Sequence, residues 1–175
     1  MGRRTIFNLI GPLANPAGVS RQLVGVASPD LVPLYREAMV RLGAETAMIV
    51  SGEEGLDELS IAGPSRIASI GLPHVGERLT PEEAGLPRHP LAAIRGGEAE
   101  FNAAALRRLL QGEPGAYRDA VLLNCAGALI VAGKAEDWRG GVAQAAEAID
   151  KGLANSLLDC WIASVIRTPR PPRST

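Results

Sequence analysis

The sequence has little cysteine, no excess of either charge and no long apolar run. Its 175 residues include two cysteines, Cys125 and Cys160, which are too few for a disulfide scaffold or a cysteine-rich zinc site. Both lie in apolar stretches with a helical pattern. We therefore predict that they are buried free thiols of a protein from a reducing compartment.

The charges are almost balanced, with 18 basic and 19 acidic side chains and a net charge of −1. This balance argues against a surface that binds duplex nucleic acid, because neutralising phosphates requires clustered Lys and Arg. Disorder is also disfavoured, since 46% of the residues are hydrophobic and the net charge is low. A chain of this length and composition is expected to form one domain with a substantial core.

No uninterrupted apolar run is long enough to span a membrane. The first residues, Met-Gly-Arg-Arg, are not followed by the apolar core of a secretory signal. We therefore expect a soluble, cytoplasmic protein that has no membrane partner.

Glycine and proline divide the chain into an α/β part and a helical part. Residues 22–27 and 46–50 are short apolar runs typical of buried strands. A helix is predicted between them, capped by Ser28 and ended by Gly43, and this strand-helix-strand spacing favours parallel strands. The apolar face predicted for this helix consists of Leu31, Leu34, Tyr35, Ala38 and Leu42.

Further along, we predict short strands at 66–70 and 77–79 and a compact helix that starts at residues 80–83. Four helices are predicted after residue 100, over 101–110, 116–132, 136–151 and a final stretch. The apolar stripe of that final helix is predicted to pack on the core and consists of Ala154, Leu157, Leu158, Trp161, Ile162 and Val165. The fold class is therefore α/β, with a parallel or mixed sheet flanked by helices.

The densest polar cluster directly follows the second predicted strand. It contains four carboxylates within six residues, namely Glu53, Glu54, Asp57 and Glu58. Ligands of open α/β sheets collect at the carboxyl ends of strands, and neighbouring carboxylates on a glycine-hinged loop suit Mg²⁺. A solvated acidic turn without a ligand explains the same pattern, so both interpretations stay open.

Other polar residues give weaker signals. Arg4, beside an apolar segment, is either a carboxylate-binding guanidinium or an ordinary surface charge. Asn124 lies in an apolar helix and is predicted to make a structural hydrogen bond there. His74 and His89 lie in proline-rich loops without spaced ligand partners, which disfavours a metal or catalytic role. No Gly-x-Gly-x-x-Gly follows the first strand, so a dinucleotide fingerprint is missing.

Several motifs of the chain together resemble one enzyme family. The run Arg-Thr-Ile-Phe-Asn-Leu-Ile-Gly-Pro-Leu-Ala-Asn-Pro at residues 4–16 is similar to a signature of the anthranilate phosphoribosyltransferases. Other segments match the same family in order and spacing, namely 21–26 (RQLVGV), 55–59 (GLDEL), 102–104 (NAA), 118–124 (RDAVLLN) and 131–135 (VAGKA). The resemblance covers nearly the whole chain apart from its proline-rich tail.

The resemblance implies a fold and a domain assignment. The family resembles the pyrimidine nucleoside phosphorylases, with a small helical domain beside a larger α/β domain. Residues 1–167 are then expected to be the C-terminal part of the α/β domain, and residues 168–175 a disordered tail. The family's Gly-Thr-Gly-Gly-Asp loop is not found in this sequence. We therefore expect the isolated chain to be inactive, and to form a homo-oligomer or to associate with a missing N-terminal half.

The resemblance also implies a reaction. The family transfers the phosphoribosyl group of phosphoribosyl diphosphate to anthranilate, with Mg²⁺, in tryptophan biosynthesis. By resemblance, Arg4 binds the anthranilate carboxylate, while Asp57 and Glu58 hold magnesium on the diphosphate; no catalytic residue is assigned. The alternative is a nucleic-acid-binding or other binding protein on the same scaffold. A nucleoside phosphorylase is disfavoured, because the signature at residues 4–16 is similar to the anthranilate enzyme.

Overall fold

A computed structural model of the chain describes residues 11–14 and 17–167. Within them, a mixed four-stranded sheet is flanked by five α-helices, which confirms the predicted α/β class. The strands are adjacent in chain order and are β1 (Arg21–Gly25), β2 (Thr46–Gly52), β3 (Ser65–Ile70) and β4 (Arg78–Leu79). The predicted disordered tail at 168–175 lies outside the described residues.

The first two strands form the predicted parallel pair. Helix α1 (Leu31–Arg41) connects them, and Gly25 at the end of β1 is paired with Val50 of β2. Strands β3 and β4 then continue the sheet in antiparallel fashion. Because β1 and β2 run in the same direction, the loops that follow them leave the same edge of the sheet.

The last third is helical, as the sequence predicts. Its helices are α2 (Ala99–Leu110), α3 (Ala116–Val131), α4 (Trp138–Asp150) and α5 (Leu153–Arg167). Helix α3 packs on β1 and β2 and also against α4. Helix α3 therefore lies next to the loop that follows β2.

Strand β2 lies at the centre of the core and is buried on both faces. Met48 and Val50 face the cluster that includes α3, whereas Ala47 and Ile49 face the cluster that includes α1. All four side chains are at most 1% exposed. Burial on both faces accounts for the uninterrupted apolar run that predicts this strand.

The predicted apolar face of α1 is correct for Tyr35, which is buried, and for Leu31, which packs against the core, but it is wrong for Leu34 and Leu42. Val32, Tyr35 and Met39 are the buried residues of this helix, while Leu34 and Leu42 are 56% and 66% exposed. The predicted cap is also not found, because Ser28 forms a turn through its backbone carbonyl and the helix begins later, at Leu31.

The helix predicted to start at residues 80–83 is a turn. The Glu83 carboxylate accepts hydrogen bonds from the Thr80 amide (2.6 Å) and hydroxyl (2.9 Å), as in a capped helix. The chain then reverses at Gly85, whose φ of +83° lies in the left-handed region. A capping interaction thus forms without the helix that usually follows it.

Two predictions of burial are also wrong. Cys125 and Cys160 are free thiols, but both residues are exposed. On α5, Ala154 packs against the core, but the side chains of Leu157, Trp161 and Val165 are 72%, 68% and 61% exposed, so most of the stripe does not pack there. Within residues 11–14 and 17–167, no helix combines the length and apolar character needed to cross a membrane.

Candidate functional site

The candidate site is the loop that follows β2, residues 53–59, which we call the acidic loop. The amide of Gly52 donates to the Leu56 carbonyl (2.8 Å) and the amide of Gly55 to the Gly52 carbonyl (2.9 Å). Gly55 has a φ of +92°, which a residue with a side chain rarely adopts. This tight turn reverses the chain and directs Asp57 and Glu58 back toward the sheet.

The returning part of the acidic loop crosses the end of β1 at very close range. A Cβ atom at position 25 would lie 1.6 Å from the carbonyl oxygen of Asp57. Only glycine leaves room for this approach. The sequence pattern assigns no special role to Gly25, and the structure shows that it permits the observed path of the loop.

Helix α3 fixes the far end of the acidic loop through Asn124. Its Oδ1 accepts a hydrogen bond from the Leu59 amide (3.0 Å), and its Nδ2 donates to the Leu59 carbonyl (3.0 Å). Nδ2 also donates to the carbonyl of Ala120, one helical turn earlier (3.0 Å). These bonds confirm the structural hydrogen bonding predicted for Asn124, and identify the loop as its partner.

Asp57 and Glu58 are both exposed at the surface. The protein beneath Glu58 nevertheless removes part of the water around its carboxyl group. This desolvation, reinforced by the negative charge of Asp57, raises the pKa of Glu58 above its usual value. Two neighbouring carboxylates supply hard oxygen ligands and leave room for water and phosphate oxygens, so this pair fits Mg²⁺.

The other two carboxylates of the acidic loop have partners within the protein. Glu53 pairs with the guanidinium of Arg78 on β4 (3.0 Å), and Glu54 accepts a hydrogen bond from the Ser60 hydroxyl. Among the described residues, Asp57 and Glu58 form no ion pair. That part of the chain also brings together no group of three or more His, Cys, Asp and Glu side chains that could hold a metal ion.

Arg4, the predicted ligand of the anthranilate carboxylate, lies outside the described residues. Its position relative to Asp57 and Glu58 therefore stays a prediction. Of the signature at 4–16, the structure describes residues 11–14, where Gly11–Leu13 form a short 3₁₀ helix. Leu13 packs against the core cluster that includes β1 and α1, which brings this segment to the same side of the sheet as α1.

Two further polar features lie away from the acidic loop. His89 binds Asp119 of α3, with Nε2 and Oδ2 2.7 Å apart, and thereby ties the proline-rich loop to the helical layer. The sequence does not predict this pairing, because the two residues are 30 positions apart. A cavity of about 550 Å³ between α2 and the start of α3, bordered by Arg95, Phe101 and Arg118, shares no residue with the acidic loop.

Comparison with known proteins identifies the chain's relatives. Residues 1–155 match the model of a glycosyl transferase family, a/b domain. The chain is 60% identical over 166 residues to the anthranilate phosphoribosyltransferase of Novosphingobium aromaticivorans, covering 94% of this chain and 50% of that protein. The enzyme of the same name from Sphingopyxis alaskensis is 62% identical over 164 residues, with 93% and 49% covered.

Solved structures agree with the sequence matches. The anthranilate phosphoribosyltransferase of Thermus thermophilus superposes with a TM-score of 0.85 at 45% identity, over 93% of this chain and 48% of that one. The Saccharomyces cerevisiae enzyme in complex with PRPP and Mg also gives a TM-score of 0.85, at 30% identity, over 95% and 49%. This chain thus spans about half the length of the relatives that it matches.

Proposed function

Because the chain belongs to the glycosyl transferase family whose α/β domain it matches over residues 1–155, we propose that it serves a phosphoribosyl transfer. The donor is phosphoribosyl diphosphate, the acceptor is the amine of anthranilate, and the product enters tryptophan biosynthesis. The observation that carries the proposal is the 60% identity, over 94% of this chain, to a protein named for this activity. The proposal includes a cytoplasmic location, as expected for a biosynthetic enzyme with water-soluble substrates.

In this proposal, the carboxylates of Asp57 and Glu58 bind a magnesium ion that also contacts the diphosphate. The proposal is supported by their exposure and by their position at the carboxyl end of β2. When bound, the ion supplies positive charge that offsets the negative charge of the departing diphosphate. Glu58 must be ionised to act as a ligand, and because its pKa is raised, this binding is expected to be lost at a higher pH than with an ordinary glutamate.

The proposal assigns the acceptor to Arg4. A guanidinium presents two parallel N–H groups to a carboxylate, which fixes both the distance and the orientation of anthranilate. An aromatic amine needs orientation toward the ribose carbon more than it needs activation. Nucleic-acid binding, the alternative function, receives no support from the relatives compared with this chain.

The proposal also includes self-association of the chain. Helix α5 exposes Leu157, Trp161 and Val165 along one broad stripe. Apolar surface of this kind usually marks an interface in a water-soluble protein. The sequence leaves two candidate occupants for this stripe, a second copy of the chain and a missing N-terminal half, and we propose the second copy.

Magnesium-dependent binding of phosphoribosyl diphosphate tests the function directly. We expect calorimetry on the 175-residue chain to detect binding that weakens at least tenfold when Mg²⁺ is omitted. Glu58→Gln should weaken the Mg²⁺-dependent binding by a similar factor, because it removes one anionic ligand. Glu53→Gln removes the same charge from the same loop, but Glu53 is paired with Arg78, so this control should leave the affinity within about twofold.

Binding that is independent of Mg²⁺, or equally weakened by Glu58→Gln and Glu53→Gln, would argue against the assigned metal ligands. Absence of any binding of phosphoribosyl diphosphate by the wild-type chain would argue against the proposed donor.

A further inference from the structure

We infer that Asn124 is a positioning residue that sets the direction in which the Glu58 side chain leaves the backbone. The inference rests on the proposed function, in which Glu58 is a magnesium ligand. It follows from how the protein holds the two peptide groups on either side of Glu58.

The first of these peptide groups joins Asp57 to Glu58 and is held against β1. A Cβ atom added to Gly25 would lie 1.6 Å from the carbonyl oxygen of this peptide and 2.7 Å from its carbonyl carbon. The peptide therefore occupies the space that any other residue at position 25 would fill. Its plane cannot move toward the strand, because the backbone of β1 stops it.

The second peptide group joins Glu58 to Leu59 and is held by α3. Its N–H donates to Oδ1 of Asn124 at 3.0 Å. The next carbonyl, that of Leu59, accepts from Nδ2 of the same side chain at 3.0 Å. Nδ2 also donates to Ala120, so the amide cannot rotate without losing one of these bonds.

Two fixed peptide planes leave Glu58 little backbone freedom. A peptide group is planar, and only φ and ψ connect one plane to the next. When the planes on both sides are held, the Cα–Cβ bond of the residue between them has a set direction. Glu58 is thus exposed to solvent while its backbone is anchored by two separate elements, β1 and α3.

The elements that hold the two peptide groups on either side of Glu58, which we call the clamp, are themselves packed in the core. Helix α3 packs on β1 and β2, the two strands whose ends surround the acidic loop. Leu59 itself is fully buried, and its side chain would meet a Cβ atom at Gly127 of the same helix at 3.0 Å. Partners that hold metal ligands in place commonly contribute tenfold to a hundredfold in metal affinity.

The experiment measures Mn²⁺ affinity by electron paramagnetic resonance, in the presence of phosphoribosyl diphosphate, for the wild-type chain and three variants. Asn124→Ala removes all three hydrogen bonds, and we expect it to weaken Mn²⁺ binding tenfold to a hundredfold. Asn124→Asp keeps the shape of the side chain but loses both donated bonds. Its added negative charge alone would strengthen cation binding, so a weaker affinity in this variant can only come from lost positioning.

The control is Ile130→Val, which removes one buried methyl group from the same helix, near its C-terminal end, whereas Asn124 lies in its middle. It should leave the Mn²⁺ affinity within twofold. Hydrogen exchange of the Leu59 amide gives a second readout that needs no metal. We expect it to accelerate at least tenfold in Asn124→Ala, and to change much less in Ile130→Val.

Mn²⁺ affinity within twofold of wild type in both Asn124 variants would overturn the inference, and so would unchanged exchange of the Leu59 amide. If the wild-type chain binds no Mn²⁺ even with phosphoribosyl diphosphate, the proposed function fails instead. The exchange of Leu59 then still reports whether the clamp on the loop exists.

Discussion

Glu58 combines an exposed position with a carboxyl group that resists ionisation. Desolvation by the protein and the charge of Asp57 both raise its pKa. In the unfolded chain the carboxyl is free of this desolvation, so folding favours its neutral form. The resulting contribution to stability is present below the usual glutamate pKa and is lost as the pH rises through the raised pKa of the folded state.

Glu58→Gln should therefore stabilise the metal-free protein slightly at neutral pH. We expect the melting temperature to rise on the order of 1 °C, because surface substitutions rarely exceed about 0.5 kcal/mol. This difference should disappear below about pH 4, where the wild-type carboxyl is also neutral. Calorimetric melting between about pH 3.5 and pH 7 checks it.

The control for this prediction is Glu53→Gln, which loses the ion pair with Arg78 and should gain no stability at neutral pH. A melting difference between wild type and Glu58→Gln that increases on acidification would contradict the assigned direction of the pKa shift.

At the scale of single residues, the sequence predicts which functional groups are present at the site better than it predicts which residues contact one another. Carboxylates after a buried strand predict an acidic site, and the structure indeed presents Asp57 and Glu58 at that edge. The sequence does not reveal that Glu53 is neutralised, because its partner Arg78 lies on another strand. The role of Gly25 is equally hidden, since a glycine in a short apolar strand predicts no particular neighbour.

At the scale of elements, the close contact between α3 and α4 depends on Gly141. A Cβ atom there would lie 2.8 Å from the Cβ and 2.9 Å from the Cα of Ala126 on α3. Since one of these atoms belongs to the backbone, the helices would have to separate. Glycine inside a helix is normally unfavourable, so its presence here is explained by the packing.

Gly141→Ala is expected to destabilise the protein by about 1–3 kcal/mol, as overpacking usually does. For a chain of this size, the melting temperature should then fall by roughly 2–10 °C. Gly140→Ala is the matched control in the same helix, because the nearest atom to its added Cβ is a side-chain oxygen of the capping Asp137, at 3.2 Å, and no backbone atom outside the helix comes as close.

The control should be neutral or stabilising by up to about 1 kcal/mol, since alanine favours helix more than glycine does. Chemical denaturation of both variants tests this difference. Equal stabilities for Gly141→Ala and Gly140→Ala would show that the two helices can accommodate a methyl group at Gly141 without separating.

The elements themselves were largely predictable, but their orientation was less so. Strand β2 is identified by its apolar run, because burial on both faces leaves no polar position in it. Helix α1 has apolar residues on several sides, and the pattern therefore predicts Leu34 and Leu42 on the inner face instead of Val32 and Met39. Which side is buried depends on how the helix packs against the sheet, where Val32, Tyr35 and Met39 join the cluster that includes Ala47 and Ile49.

At the scale of the whole molecule, α5 shows the limit of amphipathic patterns. The spacing of Leu157, Trp161 and Val165 predicts a packed helix, and the structure contains the helix but leaves this stripe exposed. A pattern of apolar residues indicates that a face is to be covered. It does not indicate whether the cover comes from the same fold or from a second molecule.

Self-association through α5 gives the last prediction. Burying large apolar side chains contributes about 25 cal/mol for each Å² removed from water. Covering the exposed side chains of Leu157, Trp161 and Val165 would therefore favour pairing of two copies. We expect analytical ultracentrifugation to show dimers at micromolar concentration. Replacing Leu157 and Trp161 with Glu should raise the dissociation constant at least tenfold, because each carboxylate would have to lose water on association.

Phe101→Glu provides the comparison, since Phe101 is an exposed aromatic side chain (55%) on a different helix. It should leave the dissociation constant unchanged if the stripe on α5 forms the interface. Equal weakening by Phe101→Glu would assign the association to general apolar exposure, and a wild-type chain that stays monomeric at tens of micromolar would exclude pairing through α5. Because the acidic loop is anchored by β1 and α3 and not by α5, Mn²⁺ binding should be the same in monomer and dimer.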